Sequence, residues 1–139
     1  MSKIAVVYWS GTGNTEAMAS AVARAAKAAG ADVELLTAAE FDAGTVGQYI
    51  AFGCPAMGEE ALEEEVFAPM FESVKGALGG KKIALFGSYG WGDREWMQKW
   101  EEQCAECGAS LACDSVTCMA EPDADALESC ARLGSALAQ

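Results

Sequence analysis

At 139 residues, with no internal repetition, the chain is long enough for one substantial core, so a single domain over 1–139 is expected. A hydrophobic content of 52% with only three prolines excludes a disordered or low-complexity chain. Nine basic against twenty-one acidic residues, a formal charge of -12, argue against nucleic acid or anionic membrane as partners and favour a partner with a basic face. Histidine is absent, which removes the commonest general acid–base group and metal ligand, so neither a catalytic residue nor a metal site is expected.

Met1, Ser2 and Lys3 lead straight into an apolar run, with no signal-type cleavage pattern. Residues 3–9, "KIAVVYW", are apolar and β-branched enough for a strand covered on both faces. A loop of small residues and hydroxyls follows, then a helix from "TEAMAS" to the stop at Gly30, with Met18, Val22, Ala25, Ala26 and Ala29 on its apolar stripe. "DVELLTA" from Asp32 is a second strand, and residues 40–48 hold at most a short helix. "YIAFGC", residues 49–54, is a third strand. Helical spacing runs through residues 62–78, where Pro69 is expected to bend or divide the helix.

"KKIALFG", residues 81–87, is a fourth strand with the glycine-rich "SYGWGD" behind it. A helix from Arg94 places Trp96, Trp100, Cys104 and Cys107 on one face. "SLACDSVTC" is a fifth strand, "MAEPD" a loop, and "ADALESCARLGSALA" the closing helix. Strict alternation of strand and helix calls for a parallel sheet with helices on both faces, a doubly wound α/β fold. Ligands of such sheets bind beyond the carboxyl ends of the strands, where residues 10–15, 55–60 and 88–93 all fall. No segment reaches the roughly 20 apolar residues that span a bilayer. A cytoplasmic protein is expected, and its six cysteines are expected to be thiols rather than disulfides.

The first loop, "SGTGNTE", carries the chemistry. Gly11 and Gly13 leave backbone N–H groups uncovered, and Ser10, Thr12, Asn14 and Thr15 add short polar side chains where a helix begins. Backbone donors and a helix N-terminus make an anion site that needs no cationic side chain, and a phosphate fits it. No G-x-x-x-x-G-K-S/T is present, and Glu16 stands where a dinucleotide fingerprint requires its third small residue. A terminal monophosphate therefore suits the loop better than a nucleoside triphosphate or NAD.

"YWSGTGNTE", "GCPAMGEE" and "LFGSYGWGD" resemble the three signature segments of flavodoxins, of the short-chain type found in clostridia and related anaerobes, and the similarity covers essentially the whole chain. The resemblance implies a five-stranded parallel sheet of order 2-1-3-4-5 in a three-layer sandwich, and FMN as the cofactor. It assigns Ser10, Gly11, Thr12, Gly13, Asn14 and Thr15 to the FMN phosphate. The isoalloxazine falls to Pro55, Ala56, Met57, Gly58 and Glu60 of one loop and Ser88, Tyr89, Gly90, Trp91 and Gly92 of another, with Cys118 close by. Trp91 would cover the outer face of the ring and Met57 the inner face. By the same resemblance the Met57–Gly58 peptide turns on reduction to bond N5–H of the semiquinone, and Glu60 accepts from N3–H. Met57, Gly58, Glu60 and Trp91 are thus the residues expected to tune the redox potential. Pro55, which fixes φ, is expected to stiffen the start of its loop, and Arg94 is expected to begin a helix in solvent.

The function implied is a low-potential one-electron carrier shuttling between semiquinone and hydroquinone, in which each tenfold change in relative binding moves a couple by about 59 mV. Its partners are larger redox proteins docking on an acidic rim to which Glu59, Glu60, Glu63, Glu64 and Asp93 are candidates, with the carrier a monomer. A small FMN-dependent reductase and a non-catalytic flavin-binding module are the rival readings; no long insertion that would build a substrate pocket is present. Cys104-x-x-Cys107 lacks a second pair of ligands, and both cysteines sit in a helical pattern beside tryptophans, which favours buried thiols.

Overall fold

The structure, a computed structural model, describes residues 3–11, 13–41, 49–56, 63–89, 94–119 and 121–138. Strand β1 (Lys3–Tyr8) leads into helix α1 (Asn14–Ala28), and β2 (Asp32–Thr37) ends in a single 3-10 turn at Ala38–Glu40. Strand β3 (Tyr49–Gly53) is followed by α2 (Phe67–Val74), β4 (Lys82–Tyr89) and α3 (Glu95–Glu106). The chain finishes with β5 (Ser110–Leu111), β6 (Val116–Met119) and α4 (Ala124–Ala138).

All strand pairs are parallel, and β2, β1, β3 and β4 lie side by side in that order. The fifth position is shared. β5 pairs with the start of β4 through Lys82↔Ser110, and β6 with its end through Ser88↔Cys118. The fold is therefore the doubly wound sheet of order 2-1-3-4-5 that the resemblance implied. What differs is the interruption of the last strand over "ACDS", residues 112–115. An edge strand has one neighbour only, and alanine, aspartate and serine favour pleated structure poorly.

Two apolar layers enclose the sheet. On one face Phe52 packs edge-on against Phe41, Phe67 and Phe71, and Trp100 of α3 meets Phe67 at 5.4 Å in a T-shaped pair. On the other, α1 and α4 cover Ile4, Val6, Ala51, Ala84 and Phe86. Val6, Ile50, Ala51, Phe52 and Leu85 are fully buried, as expected of central strands covered on both sides. Strand β2 is an edge strand, and Leu35 remains 43% exposed on it.

Three sequence expectations need correction. The buried face of α1 is made by Met18, Ala19, Val22, Ala23 and Ala26; Ala25 is only half-buried, and Ala29 lies exposed beyond the last turn. Alanines on every side of this helix leave its inward face undetermined until α4 is placed. Pro69 does not bend or divide a helix, because α2 starts at Phe67 and the proline sits in its first turn, where an N–H has no intrahelical partner. Cys107 lies just past α3 and is half-buried, whereas Trp96, Trp100 and Cys104 share the buried face.

Helices α1 and α4 meet at Gly134, where an added Cβ would stand 2.3 Å from the Val22 carbonyl oxygen. Gly134→Ala is expected to lower stability by about 2 kcal/mol despite alanine's better helix propensity, read from the urea midpoint. Burial pushes the Cys54, Cys104 and Cys130 thiols from the ordinary 9.0 up to about 12. The folded protein thus holds these protons more tightly than the unfolded chain. That stability is complete below pH 9 and declines as the pH rises through 12. Urea midpoints should fall over that window, and the three thiols should resist a thiol reagent at pH 8 until the protein unfolds.

Candidate flavin site at the carboxyl edge of the sheet

Strand β1 ends at Tyr8, and Trp9 extends its pairing by donating its N–H to the Gly53 carbonyl at 3.0 Å. The indole of Trp9 then floors the next turn. A Cβ on Gly11 would approach it to 3.0 Å, so only a residue without a side chain lies against the ring undisturbed. Ser10 Oγ accepts the Gly13 N–H at 3.0 Å and folds the turn on itself. Gly13 has φ of 94°, in the left-handed region that favours glycine.

Helix α1 starts at Asn14 with no side-chain cap, and its first backbone bond is Ala17 N–H to Gly13 C=O at 3.0 Å. The amides of the first turn therefore point out of the helix end as donors without intrahelical partners. That donor set, with the positive end of the helix dipole, suits a phosphate monoester. The Thr15 hydroxyl is turned inward and lies 3.4 Å from the Ser88 hydroxyl, both buried.

A second chain segment converges from β3. Beyond Gly53, Cys54 donates its N–H to Phe86 C=O at 3.1 Å and Ala56 to Ser88 C=O at 2.9 Å, which prolongs the β3–β4 ladder. Pro55 falls between these donors, so its missing N–H costs neither bond. The Cys54 carbonyl accepts from Trp96 Nε1 of α3 at 3.3 Å. Its thiol sulfur accepts the Glu63 N–H at 3.4 Å. Ser88 is the junction of the whole edge. It touches Thr15 of the first loop, accepts from Ala56 of the second, and pairs in register with Cys118.

Glu63 itself is 5% exposed. Its Oε1 accepts the N–H groups of Val66 and Phe67, both at 2.7 Å, and Oε2 accepts that of Glu65 at 2.8 Å. Ala68 N–H goes to Glu63 C=O at 2.8 Å and Met70 N–H to Val66 C=O at 3.1 Å, while Pro69 has no N–H to satisfy. Every donor at the start of α2 is thus accounted for. Burial works to raise the Glu63 carboxyl, but the three donors outweigh it and hold the group below the usual range. The expectation of Glu63 as a solvated rim residue fails, because its charge is spent on the backbone of α2.

Ser10, Gly11, Gly13, Asn14, Thr15, Pro55, Ala56, Ser88, Tyr89 and Cys118 are accordingly gathered at one edge of the sheet. The Cys118 thiol is directed to Met18 Sδ of α1 at 3.7 Å, on the sheet face under α1 and α4. Thr12, Met57, Gly58, Glu59, Glu60, Gly90, Trp91, Gly92 and Asp93 lie outside the described residues. Arg94 stands exposed at the start of α3, as expected, with φ of 71°. Next to the first loop opens a cavity of about 380 Å³ lined by Tyr8, Trp9, Ser10, Glu16 and Thr37 among others; among the described residues Ser10 is the member it shares with the expected phosphate set. The Tyr8 hydroxyl donates to Glu16 Oε2 at 3.4 Å on its wall. Burial first, and the neighbouring Glu16 charge second, push the Tyr8 phenol above its ordinary range.

Residues 6–134 match the family model described as Flavodoxin. The chain belongs to the flavodoxin family. It is 44% identical over 138 residues to the flavodoxin of Megasphaera elsdenii, covering 98% of both chains. To that of Clostridium beijerinckii it is 39% identical, covering 96% of this chain and 97% of the other. The solution structure of two-electron reduced M. elsdenii flavodoxin superposes with a TM-score of 0.88 at 45% identity, covering 97% and 98% of the two chains. The protein is thus a flavodoxin-type, FMN-binding electron carrier rather than an enzyme, as the sequence motifs implied. Cys54 and Trp9 were not singled out by sequence as parts of this edge, and Glu63 only as a docking residue of the rim. Their types carry no signal, since a strand-end cysteine, a glutamate in an acidic run and a strand tryptophan each have commoner explanations.

The close approach of Cys54 to β4 rests on Gly87, where a Cβ would stand 2.1 Å from the Cys54 carbonyl oxygen. Gly87→Ala is expected to cost about 3 kcal/mol, because backbone rather than a flexible side chain must give way. It should also break the Trp96 bond, seen as a shift in tryptophan fluorescence alongside a lowered urea midpoint.

Proposed function

We propose that the chain holds FMN by its phosphate at Ser10–Thr15 and by its ring between residues 55–60 and 88–92, and that it passes electrons singly between larger redox proteins. The observation that supports this reading is the Ser88 junction, which joins the helix-start loop to the strand-end loop within hydrogen-bonding range at the carboxyl edge. Bound FMN supplies the one-electron redox chemistry, and the residues of the chain position it and bias its potential. Ser10 fixes the turn that presents backbone N–H groups, and the first turn of α1 adds its dipole. Met57 and Trp91 would cover the two faces of the ring, while Gly58 and Glu60 would set how strongly each charge state is held. Cys118 would contribute through its backbone, since its thiol is engaged with Met18.

With a formal charge of -12, the chain would dock through acidic residues flanking the ring loops, among which Glu64 is exposed. Glu59, Glu60 and Asp93 belong to the same proposed rim. We take the carrier to be a monomeric, cytoplasmic protein built as one domain over 1–139. No helix among the described residues is long and apolar enough to cross a membrane. The test is stepwise anaerobic reduction of the FMN-loaded protein followed by absorbance. Two well-separated one-electron steps, the second at the more negative potential, are expected. A single two-electron step would overturn the one-electron transfer proposed for these loops.

A further inference from the structure

Cys54 and Glu63 are nine residues apart, yet the Glu63 N–H sits 3.4 Å from the Cys54 sulfur. The segment between them, 55–62, contains the residues proposed above to hold the isoalloxazine, so both ends of that segment are tied at one point. On the entry side the tie continues through Cys54 N–H to Phe86 and Cys54 C=O to Trp96. On the exit side it continues through the Glu63 carboxylate to three consecutive amides at the start of α2. A carboxylate at 5% exposure would be costly without these donors, and with them it holds the backbone in one geometry.

We propose that Glu63 is a positioning residue for flavin binding: its carboxylate, clasping the amides of Glu65, Val66 and Phe67, fixes the exit of the ring loop against Cys54. Three donors in fixed directions leave the carboxylate little freedom to rotate, and the Cys54 contact passes that constraint to the beginning of the loop. A loop anchored at both ends loses less conformational freedom when a ring enters it, so affinity for the ring rises without any contact between Glu63 and flavin. Among the described residues no hydrogen bond joins the phosphate loop directly to Glu63; its link to the ring loop runs through Ser88 and Ala56, on the side away from the clasp. The clasp should therefore act on the ring half of the ligand and leave the phosphate half alone.

This inference rests on the reading that residues 55–60 hold the ring, and Gly58→Ala tests that reading separately. Dissociation constants for FMN and for riboflavin, which lacks the phosphate, are measured by flavin fluorescence, and inorganic phosphate serves as the ligand for the first loop. Glu63→Ala should weaken FMN and riboflavin alike by about tenfold or more and leave phosphate binding within twofold. Glu63→Gln keeps an oxygen for Val66 and Phe67 but loses the acceptor for Glu65, so an intermediate loss of about threefold is expected. Should the alanine variant fail to fold, amide exchange in the unsubstituted protein still decides the question. By reciprocity FMN must slow exchange at Glu65, Val66 and Phe67. Flavin affinity unchanged in Glu63→Gln, equal losses for phosphate and riboflavin, or exchange at those amides indifferent to FMN would overturn the proposal. If Gly58→Ala also leaves riboflavin affinity untouched, the placement of the ring is wrong rather than the clasp alone.

Discussion

The carboxyl edge of the sheet depends on how closely the Cys54 carbonyl can approach β4. Phe86 receives the Cys54 N–H, Trp96 supplies a donor to its carbonyl, and Glu63 supplies one to its sulfur. All of this takes place in a buried position, where an unpaired polar group would cost roughly 1–3 kcal/mol. The arrangement is possible because position 87 carries no side chain. One glycine in β4 thereby sets the spacing between two strand ends and the helix α3. The thiol is structural here, kept protonated by burial and by the carboxylate side of Glu63 nearby.

Charge is handled differently at the two kinds of position along this edge. At the proposed phosphate site an acidic chain would rely on short-range, oriented donors. The first turn of α1 offers amide groups in contact range, each hydrogen bond to a charged group contributing about 1.5–3 kcal/mol. The many surface carboxylates act from further away, and salt screens them beyond about 10 Å. A net charge of -12 is therefore compatible with anion binding at one point and with attraction to basic partners over the whole surface. Glu63 shows the same physics inward. Its charge is removed from the surface field and used to hold three backbone amides.

Much of the fold was legible because central strands and glycine-rich loops leave strong local marks. Residues 3–9 read as a strand covered on both faces, and Val6 and Val7 within it are fully buried. Ser10 to Thr15 read as an anion loop because no ordinary turn requires two glycines and four short polar side chains at a helix start. The failures have physical causes of their own. Pro69 in an amphipathic pattern reads as a break, and whether it is one depends on where the helix begins. That point is set by Glu63, a residue indistinguishable in sequence from its solvated neighbours Glu64 and Glu65. The uniform alanine content of α1 hides its inward face, and the interruption of the last strand follows from its place at the sheet edge.

The sequence by itself determined the alternation of strands and helices, and through three motifs the family and its cofactor. Hydrophobic periodicity and backbone-specific residues such as Gly13 are local, so a linear reading finds them. Only the tertiary structure decided that Thr15 meets Ser88 across 73 positions, that the Glu63 N–H meets the Cys54 sulfur, and that Glu63 faces inward. Those contacts join residues whose separation in the chain says nothing about their distance in space. Their energies come from burial, and burial exists only once the strands have been laid side by side.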